Sequence, residues 1–187
     1  MVVDAETNPD RIKPSDIYST NMHKPCLAQH AAFLIRENGG EAEWIRNGFG
    51  RMQAFIRNYH EHHRHKATGL YYWQDDLAIG VDNDPSTFFR PNGSSASIYL
   101  NCLMYKELLA MAYIADRLAL ADEAARYNDM AAVLKKAVQE HCWDEKDGMY
   151  YSVDINLLPY KGEPEYIFGK PFVLHEGAPR DYPCLIQ

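Results

Sequence analysis

The segment from Ile98 to Leu118 constrains this chain more than any other. Read at helical spacing it is apolar on nearly every side, with Ile98, Leu100, Cys102, Leu103, Leu108, Leu109, Met111, Ile114 and Leu118. A helix of that kind is stable only when other elements cover most of its circumference. No apolar run reaches the roughly 18 residues a membrane span needs, so the cover has to come from protein. The content of 47% hydrophobic and 24% charged residues is that of a globular chain, long enough for a real core.

The flanking sequence offers the partners. Residues 1–20 are polar and interrupted by proline, and read as a lead-in to a domain spanning 21–187. A first helix is predicted from about Pro25, with Leu27, Ala31, Leu34 and Ile35 apolar, and Gly39-Gly40 ends it. A second is predicted from about Glu41 to His62, with Ile45, Met52, Phe55, Ile56 and Tyr59 on one face, although Gly48 and Gly50 weaken it. The apolar helix is the third. A fourth, from about Asp122, turns Met130, Leu134, Ala137, Val138 and His141 inward and Lys135, Lys136 and Glu140 outward.

The connections alternate in length. Gly39-Gly40 and 119–121 are short, whereas 65–93 and everything after Trp143 are long. In antiparallel hairpins, connections of one kind share an end, so one end should be trim and the other should carry long, aromatic loops. Those loops also resemble each other. Gly69-Leu70-Tyr71-Tyr72-Trp73-Gln74-Asp75 matches Gly148-Met149-Tyr150-Tyr151-Ser152-Val153-Asp154, and each segment alternates like a short strand after a glycine turn. A helix–helix–hairpin unit used more than once is the expectation. The architecture expected is therefore all-α, built of stacked antiparallel helix hairpins with short β-hairpins in the long loops.

Chemistry concentrates in the first long loop, where Asp75, Asp76, Asp82 and Asp84 lie among Trp73, Gly80, Asn83 and Pro85. Crowded carboxylates repel, which keeps one of them protonated and able to act as an acid. A neighbouring tryptophan offers a face to a sugar ring or anchors the loop. The same residues also fit a solvated acidic loop, and their spacing does not match a calcium-binding EF-hand. His60-Glu61-His62-His63-Arg64 has Arg64 where a zinc-protease motif needs histidine, so no metal or other cofactor is predicted. Cys26, Cys102, Cys142 and Cys184 match no zinc or redox spacing and read as buried free thiols. The net charge of −7 argues against a nucleic-acid partner. Met1 to Asn8 shows no secretion signal, and no compartment is assigned.

An ordered series of motifs adds a family resemblance. Tyr18 to His30, Gly80-Val81-Asp82-Asn83, Asn101 to Leu108, Trp143-Asp144-Glu145 through Tyr150-Tyr151, and Gly177-Ala178-Pro179-Arg180 resemble glycoside hydrolase family 63, kin to trehalases and glucoamylases. The resemblance runs from about residue 18 over nearly the whole chain. It implies part of an (α/α)6 barrel of paired inner and outer helices and an inverting hydrolase of α-linked glucosides or similar oligosaccharides. The general acid of the family maps to Asp82, and Trp73, Asn83, Arg90 and Arg180 are expected to shape the sugar pocket. The base of the family is a glutamate far downstream, so this chain is expected to lack it and to be inactive alone, with Glu176 the one late acid that could stand in. An incomplete ring would expose an edge prone to self-association, and Leu185-Ile186-Gln187 resembles the start of a fifth helix. The sequence departs from the family pattern where Asp84-Pro85-Ser86 follows the Asp-Asn pair and where 63–68 lacks a calcium-type loop. A non-catalytic helical-repeat or carbohydrate-binding module is the alternative.

Overall fold

The computed structural model describes residues 22–74, 79–81, 84–88, 90, 93–155, 165–167, 170–172 and 184–186, the last three stretches as backbone only. The chain is mostly helical, and no sheet closes among the described residues. Helix α1 (Leu27–Glu37) and helix α2 (Arg46–His62) form one antiparallel hairpin, with a 3₁₀ turn at Glu43–Ile45 between them. Helix α3 (Ile98–Arg117) and helix α4 (Ala121–His141) form the second. No helix is long and apolar enough to cross a membrane.

The two hairpins stack with α1 on α3 in one layer and α2 beside α4 in the other. Phe49 of α2 meets Tyr127 of α4 edge to face at 6.5 Å, and Gln53 Nε2 donates to Glu123 at 2.8 Å. Leu100, Met104, Leu108, Met111 and Ile114 of α3 are fully buried and form the centre of the core. This layered stacking is that of consecutive units in an α/α barrel.

The trim end is locked by two arginines that cross between hairpins. Arg117 Nε donates to Gly40 O at 3.0 Å, and Arg46 Nη2 donates to Leu118 O at 3.2 Å. The turn at Gly39-Gly40 therefore lies beside the turn after α3, as the alternation of connection lengths predicted. Gly40 has φ +89, a left-handed conformation that favours glycine, and the Arg117 guanidinium lies close beside it. The second turn uses Ala119 at φ 58, a left-handed conformation uncommon outside glycine.

Glu107 joins the hairpins in mid-layer. It projects from α3 and is 1% exposed, and its Oε1 accepts the Ala28 N–H at 2.6 Å. Its Oε2 accepts from Gln29 N–H at 3.2 Å and from Gln29 Nε2 at 3.1 Å. Cys26, the cap residue of α1, provides no side-chain bond, so α1 is capped by a residue of another helix.

The repeat read from the sequence recurs bond for bond. After α2, Tyr72 N–H donates to His63 O, Gly69 N–H to His65 O, and Arg64 faces Tyr71 across a single bridge. After α4, Tyr151 N–H donates to Cys142 O, Gly148 N–H to Asp144 O, and Trp143 faces Tyr150. Both turns place glycine at left-handed φ, Gly69 at 76 and Gly148 at 66. The second copy forms strands β2 (Trp143–Asp144) and β3 (Met149–Tyr150). Strand β1 (Ser95–Ala96), just before α3, pairs antiparallel with β4 (Ser152–Asp154), which also pairs with β7 (Cys184–Ile186). Strands β5 (Glu165–Ile167) and β6 (Lys170–Phe172) make a separate hairpin.

Asn101 secures the first copy. Its Oδ1 accepts Tyr71 N–H at 2.8 Å, and its Nδ2 donates to Tyr71 O and to Ser97 O, each at 2.8 Å. A fully buried amide thus supplies the outer edge of the hairpin with the donor and acceptor a neighbouring strand would provide.

Three expectations are corrected. Leu185 and Ile186 lie in β7, because pairing with β4 outweighs their local helical pattern. Helix α2 begins at Arg46 rather than about Glu41, since the 3₁₀ turn occupies the intervening residues. Cys102 is exposed, as are Tyr99 and Leu109, because neither α1 nor α4 covers that stripe of α3, whereas Cys142 is buried.

Two outcomes follow from these polar anchors. Asn101→Leu should lower unfolding free energy by about 2–3 kcal/mol, since it strands a buried N–H and C=O of Tyr71. Asn101→Asp should not restore it, lacking donors for the carbonyls; urea titration of the three proteins decides. Burial raises the Glu107 carboxyl pKa, against the lowering effect of its bonds from Ala28 and Gln29. A raised carboxyl pKa means the folded state holds the proton better than the unfolded chain does. That contribution to stability is complete below about 4.5, the ordinary glutamate value, and is lost as pH rises through the folded value. Glu107→Gln lacks this titration, so its stability relative to wild type should improve as pH rises above about 4.5 and level off beyond the folded value. A constant difference across that range would rule the titration out.

Candidate functional site

The long-loop end is built on the first repeated hairpin. Tyr59 of α2 is fully buried, and its hydroxyl donates to His23 O at 2.7 Å, tying the approach to α1 onto the end of α2. Tyr59 meets Tyr71 edge to face at 6.4 Å, and His60 Nδ1 lies 3.1 Å from the Tyr71 hydroxyl. Burial pushes the Tyr71 phenol up to about 12, so it stays protonated at neutral pH. Burial is also the first cause lowering the His60 pKa, followed by the charge of Arg64, which favours a neutral imidazole.

Beyond Tyr71 the chain enters the acidic loop. Trp73 is 2% exposed, and its Nε1 meets no hydrogen-bond partner among the described residues. Its ring lies 6.5 Å from that of Tyr99, in the first turn of α3, and Tyr99 is the exposed member of the pair. The ring is deeply covered, a position that suits an anchor of the loop.

Gly80, which opens the Gly-x-Asp-Asn turn, has φ +61, and a Cβ there would fall 2.8 Å from Lys24 Nζ. The turn thus needs glycine for its backbone, and the ammonium group of Lys24, from the segment preceding α1, lies close beside it. Two residues after the aspartate of that turn, Asp84 Oδ1 accepts Ser86 N–H at 2.8 Å, and Asp84 O accepts Thr87 and Phe88 N–H at 3.0 and 2.8 Å. Asp84 therefore organises the turn that follows.

Arg90 pairs through Nη1 with Asp154 Oδ1. Asp154 is fully buried in β4, where it stands opposite Ser95. The loop is held again where Gly93 N–H donates to Gln74 O at 2.9 Å and Ile155 N–H to Ser94 O at 2.9 Å. Arg90, expected to contact sugar, is thus first a strut between the two long loops. The structure brings Trp73, Arg90, Asp84 and Gly80 to the end opposite the arginine-locked turns. Asp82, Asn83, Arg180 and Glu176 lie outside the described residues.

Sequence reasoning did not single out Lys24, Asp154, Glu107 or Tyr99. Asp154 had a signal, since it is the equivalent of Asp75 in the second copy of the repeat. Asn101 and Glu107 had one as well, as polar residues on an otherwise apolar helix. Among the described residues, no group of three or more His, Cys, Asp or Glu side chains could hold a metal ion.

Comparison with known proteins fits this architecture. One solved structure, a sialidase, superposes with a TM-score of 0.53 at 20% identity, over 62% of this chain and 10% of its own. The likeness is one of fold, and the chain spans about a tenth of that protein's length. No curated protein matches the sequence. The sequence pattern of the mannosylglycerate hydrolase MGH1-like glycoside hydrolase domain matches residues 1–165, and the chain belongs to that family of glycoside hydrolase domains.

Proposed function

We propose that this domain belongs to an inverting glycosidase of the family 63 type, acting on α-linked glucosides, with Asp82 as general acid. The observation that carries the reading is the Gly80 turn: a left-handed glycine packed under Lys24, at the loop-bearing end of stacked helix hairpins, two residues before the aspartate. Family membership supports a carbohydrate substrate. In this reading Asp82 protonates the departing glycosidic oxygen. A second carboxylate about 6.5–9.5 Å away activates water on the opposite face of the sugar. Asn83, Arg180 and the N–H groups of Arg90 not engaged by Asp154 bind hydroxyls. Trp73 backs the exposed ring of Tyr99, which takes the role of sugar platform. Lys24 beside the turn favours a negatively charged aglycone as a second substrate class, and the mannosylglycerate of the family description supplies one to test.

The test is turnover by the protein at its natural length. Asp82→Asn should lower kcat on an unactivated α-glucoside by about 10²–10⁴-fold, the usual contribution of general acid catalysis, with Tm unchanged. Asp84→Ala should instead lower Tm through loss of the Ser86 bond and affect kcat less. Comparable activity in wild type and Asp82→Asn would end the assignment. Faster cleavage of mannosylglycerate than of any α-glucoside would move the substrate class while leaving the acid in place.

A further inference from the structure

Two hydroxyl groups hold the first β-hairpin, and each depends on a histidine. The Tyr71 hydroxyl lies 3.1 Å from His60 Nδ1, and the Thr68 hydroxyl lies 3.0 Å from His65 Nδ1. Tyr71 and Thr68 are buried, whereas His60 is exposed and His65 half-buried. Thr68 Oγ1 also accepts Leu70 N–H at 3.3 Å, inside the turn. A hydroxyl has one proton to give, and neither of these meets another acceptor among the described residues. Both are satisfied only when each Nδ1 accepts, which requires neutral imidazoles with the proton on Nε2. A protonated ring would present its own N–H to the hydroxyl and leave a buried O–H without an acceptor.

The surroundings of the two rings act in the same direction. Burial is the first cause lowering both histidine pKa values. For His60 the charge of Arg64 follows, Glu61 opposes it, and Arg126 of α4 adds to it. For His65 the second cause is His141, at the end of α4. That helix packs on the hairpin, since a Cβ at Gly69 would stand 3.8 Å from that of Ala137. A folded pKa below the ordinary 6.5 gives a contribution to stability that is complete above 6.5 and lost as pH falls through the folded value.

The second copy of the hairpin has the same backbone bonds and no histidine in these roles. Asp144 stands at the position of His65, and Asp147 at that of Thr68. Asp144 Oδ1 accepts Lys146 N–H at 2.8 Å, and Asp147 Oδ2 accepts the Tyr151 hydroxyl at 3.0 Å. Carboxylates as a class stay acceptors through the pH range in which imidazoles cease to be.

We propose that the first hairpin is a proton-operated clasp, closed while His60 and His65 accept at Nδ1 and opened when they take up protons in mildly acidic solution. The acidic loop departs from Tyr71, so opening the clasp frees the start of that loop. The second hairpin, with carboxylates in place of the histidine and the threonine, stays closed over the same range. The device is independent of which glycoside the domain cleaves.

The experiment is amide hydrogen exchange on the protein at its natural length between about pH 7.5 and 5, expressed as protection factors so that intrinsic exchange cancels. The Gly69 and Tyr72 amides, bonded to His65 O and His63 O, report on the first hairpin, and Gly148 and Tyr151 on the second. The ratio of first to second should fall by about tenfold or more, with the change centred below 6.5. In a variant carrying His60→Asn and His65→Asn, an amide oxygen replaces each Nδ1 and gains no proton, so the ratio should stay constant. A ratio independent of pH in the wild type would overturn the proposal, and so would an equal fall in the variant. Imidazole nitrogen chemical shifts of the wild type at neutral pH need no substitution. Both rings should carry their proton on Nε2, and a proton on either Nδ1 would refute the acceptor roles.

Discussion

The buried carboxyl group of Glu107 is the joint on which the stacking of the two hairpins depends. A helix leaves four N–H groups unbonded at its start, and burying them without partners is costly. In α1 the residues before the first turn provide no side-chain acceptor, so the helix is complete only when α3 is alongside. The first hairpin therefore cannot be finished before the second has formed and docked. This makes the pair a single cooperative unit rather than two independent ones. The same contact fixes how far α1 slides along α3, because only one register places Ala28 and Gln29 against Glu107.

Loops at the opposite end inherit that precision through a chain of short polar links. Asn101 sits on the same buried helix as Glu107 and holds Tyr71, from which the acidic loop departs. Arg90 and Asp154 then brace that loop against β4, and Gly93 closes it back on Gln74. A loop spanning 65–93 would have a large conformational freedom if attached only at its ends. Here it is fastened at Tyr71, Gln74 and Arg90, so the stretch with Gly80 and its following aspartate is much shorter than the loop itself. A catalytic acid benefits from such positioning, since small displacements of a reacting group cost large factors in rate.

The helices were legible because their information is local. Apolar spacing located all four, and the lengths of the connections predicted which turns share an end. The repeat was visible as Gly-x-Tyr-Tyr in two places, and its structural equivalence reaches down to single backbone bonds. What could not be read was long-range pairing. Glu107 stands out only as a polar residue on an apolar helix, and its partners lie 79 and 78 positions away, where nothing in the sequence points. Arg90 and Asp154 are 64 positions apart, and neither residue signals the other. Leu185 and Ile186 show an apolar pattern that suits either state, and only β4 decides between them. For the candidate site, the Gly-x-Asp-Asn motif was visible in the sequence, whereas the ammonium of Lys24 beside Gly80 was not. The burial of Trp73 followed from packing against α3, which composition does not specify.

The reciprocal arginine contacts at the trim end act as a vernier for the whole assembly. Arg46 reaches from the first hairpin to the second, and Arg117 reaches back from the second to the first. Arg46 engages the carbonyl that caps α3, so it also offsets the partial negative charge gathered there, while Arg117 engages the turn that follows α1. Sliding one hairpin by a single helical turn, about 5.4 Å, would unseat both at once, and no intermediate setting satisfies either. The angle between successive hairpins is thereby fixed far from the loops. A ring built from such units would take its curvature from the trim end, which leaves the loops at the other end free to diverge without changing its diameter.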